Sequence, residues 1–302
     1  MAATRAASPS TAPNQPPASM PATSAVTAKA SRENFPVASL LLPRRYRQAL
    51  LGIYGFARLT DDIGDEAPGD RTTLLDWLEA DVGRLYAEMP IHPLLRRLQP
   101  AVERYELPRD SFIRLIRANR QDQKVSRYRT YGELAAYCEL SANPVGELVL
   151  HLFAAATPRN VRFSDAVCTG LQLAEHWQDV GEDYARGRVY LPQEDLETFG
   201  VAEDELAAEE PSEALERLMA FEVARARGLL EQGRELLVEL SGWARLAVAG
   251  YVGGGKATLD AIEASGYAVL GDPPRATATA KAAAAARELK ATLPGELRKV
   301  TP

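Results

Sequence analysis

Residues 53–65 read Ile-Tyr-Gly-Phe-Ala-Arg-Leu-Thr-Asp-Asp-Ile-Gly-Asp, and this stretch decides the predicted fold. Its apolar residues recur every three or four positions, which is typical of one face of an α-helix. A polar face has members at offsets of zero, four, seven and eleven, namely Tyr54, Arg58, Asp61 and Asp65. Aspartates one turn apart repel each other, and a divalent cation would offset that cost. The stretch therefore predicts a cation-binding helix.

Residues 171–183 repeat the pattern as Leu-Gln-Leu-Ala-Glu-His-Trp-Gln-Asp-Val-Gly-Glu-Asp. Offsets of zero, three, seven and eleven again define one helical face, with Gln172, Glu175, Asp179 and Asp183. One such aspartate pair is more often a solvated helix face, but two pairs in largely apolar helices favour ligand binding. Mg²⁺ is typically held by one or two carboxylates together with phosphate oxygens. Two facing helices of this kind predict a clamp for Mg²⁺ and a diphosphate.

Helical patterns continue along the chain, whereas alternating β-branched runs are nearly absent. The predicted fold class is all-α, a helical bundle in a single domain. Turn residues divide the bundle into segments of ordinary helix length. They fall at Pro68–Gly69, Pro90–Pro93, Pro108, Pro144, Pro158, Pro192, Gly200 and Pro211.

Composition places one catalytic domain between two tails. With 302 residues and 46% apolar content, the chain can close a sizeable core around a cavity, predicted here over residues 31–271. Residues 1–30 are rich in Ala, Pro and Ser and contain no acidic residue, which predicts a disordered tail. Residues 272–302 are rich in Ala and Lys, which predicts an appended helix or frayed tail outside the catalytic domain.

Charge, cysteine content and hydropathy argue against several classes of protein. A net charge of -6 argues against nucleic-acid binding, which needs clustered positive charge. Two cysteines, Cys138 and Cys168, are too few for a disulfide framework, so we expect a cytoplasmic protein. No apolar run approaches the roughly 18 residues of a membrane span, and any membrane contact is expected to be peripheral. For an acidic chain, that contact would use a small apolar rim and not a basic patch.

A nucleotide-binding reading of residues 250–257 is rejected. Gly-Tyr-Val-Gly-Gly-Gly-Lys-Ala has the GxxxxGK spacing of a phosphate-binding loop. It follows a helical segment instead of a strand, and Ala257 stands where that loop needs Ser or Thr.

From Glu33 to Leu270 the sequence resembles the squalene/phytoene synthase family. The resemblance rests on Asp-Asp-Ile-Gly-Asp at 61–65, on Tyr-Cys-Glu-Leu-Ser-Ala-Asn-Pro-Val-Gly at 137–146, and on 172–192 with Gly-Arg-Val-Tyr-Leu-Pro. It implies the isoprenoid-synthase helical bundle, a central cavity, and two or three Mg²⁺ ions on the aspartate motifs. Residues 33–39, 141–146 and 176–179 are most similar to the bacterial branch that makes hydroxysqualene for hopanoids.

That branch implies ionisation of presqualene diphosphate and capture of the rearranged cation by water, with no nicotinamide cofactor. Sister enzymes that condense two prenyl diphosphates into presqualene diphosphate, squalene or phytoene would use the same motifs and remain the alternative. A non-catalytic isoprenoid-binding paralogue is a third reading. The chain departs from many members at Glu175, where they have Asn, and at Gln178, where they have Arg. Docking of the tails on membranes or on other enzymes of the hopanoid or squalene pathway stays open.

The resemblance also implies roles for single residues. Metal binding falls to Asp61, Asp65, Asp179 and Asp183, with Asp62 and Glu175 as helpers. Arginine matches phosphate geometry with two parallel hydrogen bonds. The expected diphosphate ligands are Arg58, Arg188, Asn34 and Gln172.

Other residues are expected near the reacting carbons. Tyr54 and Tyr137 would face the carbocation or its pyrophosphate, although either could be core filling. Asn143 would orient water at the cavity or mark a kink at Pro144. Asp122 is a weaker candidate, with a surface loop as its alternative. His176 is expected to be a packed or solvent-facing imidazole, and the expected lipid pocket comprises Phe35, Val145, Leu148, Leu152 and Leu171.

Overall fold

The computed structural model describes residues 15–23, 26 and 42–292 of the chain. Throughout these residues the regular elements are helices, and no β-strand occurs, so the predicted all-α class is confirmed. The helices are α1 (Arg44–Asp65), α2 (Arg71–Ala87), α3 (Pro93–Tyr105), α4 (Arg109–Asp122), α5 (Tyr131–Ser141), α6 (Asn143–Leu152), α7 (Pro158–Gln178), α8 (Val180–Ala185), α9 (Gln193–Phe199), α10 (Glu213–Gln232), α11 (Arg234–Glu239), α12 (Gly242–Ala264) and α13 (Ala278–Ala291). A 3₁₀ turn covers Glu203–Ala207.

The helix ends follow the predicted turn residues. Helices α3 and α7 begin at Pro93 and Pro158, where a proline costs no helical hydrogen bond. Side-chain oxygens of Asp70, Thr130 and Thr157 accept hydrogen bonds from free N–H groups at the starts of α2, α5 and α7. Local chemistry therefore explains much of the helix register.

Two apolar clusters form the core, and each of them includes a helix that carries an aspartate motif. One cluster is formed by the four helices α1, α2, α3 and α4 together with α6. It includes the buried side chains of Phe56 and Phe112. The other joins α5, α7, α10 and α12 around Trp177, whose indole N–H donates to the Glu222 carbonyl. Asp61 lies on α1, which packs in the first cluster, and Asp179 follows α7, which packs in the second.

Helix α13 packs along α12. A side chain at Gly253 would collide with the Ala285 backbone, so glycine permits the close approach. The buried Glu288 carboxylate accepts hydrogen bonds from Lys256 at 2.9 Å and from Arg234 at 3.0 Å. The region predicted as an appended helix thus contributes a buried ion-pair network to the bundle.

Residues 250–257 lie inside the continuous helix α12, with Lys256 buried against Glu288. No phosphate-binding loop forms there, which confirms the rejection of the nucleotide-binding reading. In the stretch predicted as a disordered tail, the Val26 side chain is fully buried in the first cluster. Across the described part of the chain, no helix is both long and apolar enough to cross a bilayer.

Candidate active site

The polar face of α1 carries Asp61, which contacts helix α4. Asn119 Nδ2 donates to Asp61 Oδ1 at 3.1 Å, and Asn119 itself is buried. Gly64 makes this contact possible, because any side chain there would collide with Asn119. Asp61 keeps accessible surface, yet removal from bulk water raises its pKa to about 6, with the Asp65 charge acting in the same direction. The carboxylate thus remains accessible while its charge is partly removed from bulk water.

Asp62 faces a different direction from its neighbour. Its carboxylate is buried and accepts a hydrogen bond from Arg58 Nε at 2.9 Å. A second carboxylate, that of Glu66, lies 3.7 Å from the same guanidinium. The structure therefore places Asp62 in an ion pair that orients Arg58, off the face that carries Asp61, and a role as a metal ligand stays a prediction.

Arg188 connects the two aspartate motifs. Its Nη2 atom lies 2.6 Å from Asp65 Oδ1, and its backbone N–H donates to the Asp183 carbonyl at 2.9 Å. Gly187, with φ +81°, allows the turn that returns the chain towards α1. One residue thus contacts both aspartate motifs.

Asp122 ends helix α4 beside these groups. Its Oδ2 atom accepts a hydrogen bond from the Tyr137 hydroxyl at 2.9 Å, while Oδ1 is buried with no hydrogen-bond partner among the described residues. Burial raises the pKa of Asp122 to about 7, against the opposing effects of the Tyr137 bond and of Arg188. The alternative of a surface loop was wrong, because Asp122 belongs to a helix packed against α5.

The second motif spans a break between two helices. Asp179 is the C-cap of α7, with φ −104° and ψ 20°, and Asp183 lies in the short helix α8. The Asp183 N–H still donates to the Asp179 carbonyl at 2.8 Å, so the one-turn spacing of the pair survives the break. The prediction of one helical face is therefore correct for Gln172 and Glu175 and only approximate for the aspartates. Burial raises the pKa of Asp179, and the Glu182 and Asp183 charges add to the effect.

His176 lies under the second motif as a packed imidazole, as expected. Its ring stacks on Tyr190 with centroids 3.6 Å apart, and its Nε2 lies 3.1 Å from Gln172 Nε2. The other nitrogen, Nδ1, lies 3.8 Å from Asp183 Oδ2. Tyr137 and Tyr128 continue the aromatic cluster beyond Tyr190, at centroid separations of 6.0 and 5.9 Å. This cluster forms a rigid floor beneath the charged groups.

Basic residues from the C-terminal segment approach the second motif from outside. Arg275 lies 3.8 Å from Glu182 and its charge also acts on Asp179. Lys281, on α13, interacts electrostatically with Glu175. The extra negative charge that distinguishes Glu175 from asparagine thus faces a positive charge on α13.

The remaining predicted residues are distributed as follows. Tyr54 is half-buried on the same face of α1 as Arg58 and Asp61. Asn143 is buried at the start of α6 and accepts a hydrogen bond from Thr169 at 3.0 Å, so it joins α6 to α7 at the predicted kink. Asn34 and Phe35 lie outside the described residues. The other predicted pocket residues are buried or half-buried, namely Val145, Leu148, Leu152 and Leu171.

The charged groups fit a shared divalent cation better than a closed metal cage. Within residues 15–23, 26 and 42–292, no three His, Cys, Asp or Glu side chains are grouped closely enough to hold an ion alone. Mg²⁺ typically uses one or two carboxylates and takes its other ligands from water and phosphate. Burial and neighbouring carboxylates raise the pKa of both Asp61 and Asp179, and a bound cation would favour their charged forms. The donors therefore fit Mg²⁺ held jointly with a diphosphate.

Sequence reasoning missed three contributors. Asn119 precedes Asp122 by three positions on α4, so the helical period alone could have placed it on the same face. Arg275 and Lys281 carry no such signal, because their approach depends on how the C-terminal segment folds back. Tertiary packing alone reveals that contact.

Comparison with known proteins identifies the family. A family model described as squalene/phytoene synthase matches residues 28–282. The chain belongs to this family. It is 35% identical over 209 residues to the hydroxysqualene synthase of Rhodopseudomonas palustris, a match that covers 69% of this chain and 71% of that protein. It is also 31% identical over 223 residues to the phytoene synthase of Mycobacterium tuberculosis, covering 72% and 73% of the two chains.

Structural comparison agrees with the family membership. The crystal structure of squalene synthase HpnC from Alicyclobacillus acidocaldarius matches with a TM-score of 0.75 and 39% sequence identity. The match covers 82% of this chain and 97% of that one. The predicted isoprenoid-synthase bundle and the predicted family are therefore both confirmed.

Proposed function

We propose that this protein is a hydroxysqualene synthase, which converts presqualene diphosphate and water into hydroxysqualene and pyrophosphate. The observation that carries the proposal is the contact between Arg188 and Asp65, which places one guanidinium between two aspartate motifs. An arginine beside carboxylates that could hold Mg²⁺ suits a diphosphate leaving group, because both cations stabilise its negative charge. The similarity to hydroxysqualene synthases at 35% identity supports the choice of reaction.

Departure of pyrophosphate is the difficult step, because negative charge develops on the leaving oxygen. Mg²⁺, bound by Asp61 and Asp65 and by Asp179 and Asp183, would act as a Lewis acid towards the diphosphate oxygens. Arg188 would bind the same group through its guanidinium, and Arg58, oriented by Asp62, is placed on the α1 face for a similar contact. These residues bind and orient the leaving group without forming a covalent bond to it.

After pyrophosphate leaves, the carbocation must be surrounded by groups that do not attack it until one water molecule does. Tyr137 and Tyr190 present aromatic rings of the kind that stabilise positive charge. Attack by water forms the new carbon–oxygen bond and releases one proton. The Tyr137 hydroxyl, hydrogen-bonded to Asp122, offers a path for that proton, and a carboxyl pKa of about 7 suits its acceptance near neutrality.

Product analysis tests the proposal. Purified protein is incubated with presqualene diphosphate and Mg²⁺ in the absence of NADPH, and the lipid products are identified by mass spectrometry. We expect hydroxysqualene from the wild type and none from Asp61→Ala or Asp179→Ala. Consumption of farnesyl or geranylgeranyl diphosphate, with presqualene diphosphate left untouched, would instead identify a condensing sister enzyme.

Two further variants test whether activity depends on the site itself. The first is a control for the aspartate variants, and the second removes one hydroxyl group from the site. Asp204→Ala removes an aspartate from the 3₁₀ turn, and we expect it to retain full activity. Tyr137→Phe keeps the aromatic ring and removes the hydroxyl that contacts Asp122. We expect Tyr137→Phe to slow formation of hydroxysqualene while substrate binding stays close to that of the wild type.

A further inference from the structure

A groove of about 640 Å³ lies on the outer surface between α1 and α3. Arg45, Ala49 and Gly52 line it from α1, at the spacing of one helical face. Tyr54 and Asp61 project from roughly the opposite side of the same helix. The groove and the candidate active site therefore share a helix and use different faces of it.

The groove combines an apolar floor with a positive rim. Arg45, Arg97 and Arg104 line the rim and are exposed to solvent. Small and aliphatic residues form the floor, namely Ala49, Gly52, Gly55, Leu94 and Ala101. None of the described residues that line the groove is Asp or Glu, although the chain as a whole has a net charge of -6. The surface is a local reversal of the protein's charge.

Within the described ranges, the three rim arginines lack the carboxylate partners that many arginines of the bundle have. Arg120 and Arg225, for example, pair with carboxylates at 2.6 and 2.8 Å. In the part of the chain that the structure describes, no carboxylate lies within ion-pair distance of Arg45, Arg97 or Arg104. Among the described residues, therefore, no carboxylate neutralises these three charges.

Two of these arginines are held beside tyrosine rings. The Arg45 guanidinium carbon lies 4.7 Å from the Tyr46 ring centroid, and that of Arg104 lies 5.6 Å from the Tyr105 centroid. The two rings are themselves 6.3 Å apart. Such contacts restrict the guanidinium groups without neutralising them. The rim thus presents ordered positive charge above an apolar floor.

Leu51 adds an apolar side chain that is 53% exposed and that also lines the groove. Arginine, tyrosine and exposed leucine together match the chemistry of a bilayer interface, where headgroup phosphates lie above acyl chains. Negatively charged lipid attracts each nearby arginine. A small anion such as free phosphate would make no use of the apolar floor.

We propose that this groove docks the protein on a bilayer containing anionic phospholipid. The three arginines contact headgroup phosphates, and Leu51 reaches the boundary with the acyl chains. The sequence-based prediction of a small apolar rim stays untested, and this proposal adds basic residues to such a rim. The proposal goes beyond the proposed reaction and does not depend on it, because it concerns the outer face of α1.

Co-sedimentation with vesicles tests the docking surface. The full chain is mixed with vesicles of phosphatidylcholine alone, or of phosphatidylcholine and phosphatidylglycerol in equal parts. The variant Arg45→Glu/Arg97→Glu/Arg104→Glu is compared with Arg117→Glu/Arg162→Glu/Arg217→Glu, which makes the same change in net charge at other exposed positions. Thermal unfolding followed by circular dichroism checks that both variants fold.

We expect the wild type to bind the anionic vesicles more tightly than the neutral ones, and added salt to weaken binding. The groove variant should bind at least about 100-fold less tightly, since each basic residue contributes several-fold. The control variant should stay within a few-fold of the wild type. If the groove variant does not fold, Arg97→Glu and Leu51→Ser each provide a milder version of the same comparison.

Three results would overturn the proposal. The first is a wild type that does not bind the anionic vesicles. The second is an equal loss of binding in the groove and control variants, which would assign binding to net charge alone. The third is a wild-type dimer, seen by light scattering, that the groove variant converts to a monomer, because the groove would then bind a second copy of the chain.

Discussion

The guanidinium of Arg188 lies 2.6 Å from the carboxylate of Asp65, although 123 positions separate the two residues in the chain. The backbone N–H of Arg188 also donates a hydrogen bond to the Asp183 carbonyl. A diphosphate that enters between the motifs would meet the same guanidinium that now pairs with Asp65. The contact therefore defines where the two halves of the site meet.

Replacing Arg188 should affect catalysis more than folding. For Arg188→Gln we expect kcat/KM to fall by about 10²- to 10³-fold, the usual loss when one group that stabilises transition-state charge is removed. Steady-state kinetics with presqualene diphosphate measures the change. Arg186→Gln is the matched control, because Arg186 is exposed and pairs only loosely with Glu182 at 3.7 Å. Equal losses in both variants would contradict a specific role for Arg188.

Asn119 should act through Asp61. Asn119→Ala removes the hydrogen bond that fixes the Asp61 carboxylate. Residues that orient a metal ligand typically change metal affinity by about 10- to 100-fold when removed. We expect the Mg²⁺ concentration for half-maximal activity to rise by that factor, with activity largely restored at saturating Mg²⁺. A loss that Mg²⁺ does not rescue would show that Asn119 serves folding only.

Mg²⁺ binding should weaken in mild acid. Because burial raises the pKa of Asp61 to about 6, this carboxylate gains a proton as the pH falls through that value. A proton competes with the cation, so affinity should fall about tenfold per unit below the pKa if a single proton competes. Mg²⁺ titrations of activity one unit above and one unit below that pH measure the effect. An affinity that does not change across this range would exclude Asp61 as a ligand.

Glu222, which lies outside the candidate active site, should make the free energy of unfolding depend on pH. Burial raises the pKa of Glu222 from 4.5 to about 8, and the nearby Asp195 charge contributes although Arg225 opposes the shift. Between those values the folded chain holds a proton that the unfolded chain has released. The stability that Glu222 contributes is therefore fully present below pH 4.5, and it decreases as the pH rises towards 8.

Urea unfolding of Glu222→Gln tests this dependence. We expect the free energy of unfolding of the wild type to decline with pH between about 5 and 8, by up to about 1.4 kcal/mol per unit from this group. The variant should show a flatter profile, since glutamine does not titrate. The same slope in both proteins would assign the pH dependence to other groups.

The helical class and the position of the two motifs could be predicted because both follow from local spacing. Asp61 and Asp65 share a face by helical geometry alone, and turn prolines mark where five of the described helices begin. Predicting the break at Asp179 failed because nothing local marks it. The helix breaks at Asp179 where α8 packs closely against the Leu270 backbone. Any side chain at Gly181 would collide with that backbone.

Directions of single side chains were harder to predict than helix faces. Asp62 follows Asp61 directly, so it lies about 100° further round the helix and is buried with Arg58. Asp122 was assigned weakly because its partner Tyr137 is on another helix. The electrostatic interaction of Lys281 with Glu175 depends on how α13 packs on α12, which no local pattern encodes.

The source of the product's hydroxyl oxygen tests the central claim most directly. Presqualene diphosphate and Mg²⁺ are incubated with the protein in water enriched in the heavy isotope of oxygen, and hydroxysqualene is analysed by mass spectrometry. Capture of the cation by water predicts that the hydroxyl group carries the heavy isotope at the enrichment of the solvent. A hydroxyl that keeps the light oxygen of the diphosphate ester, or no hydroxysqualene at all, would contradict the proposed reaction.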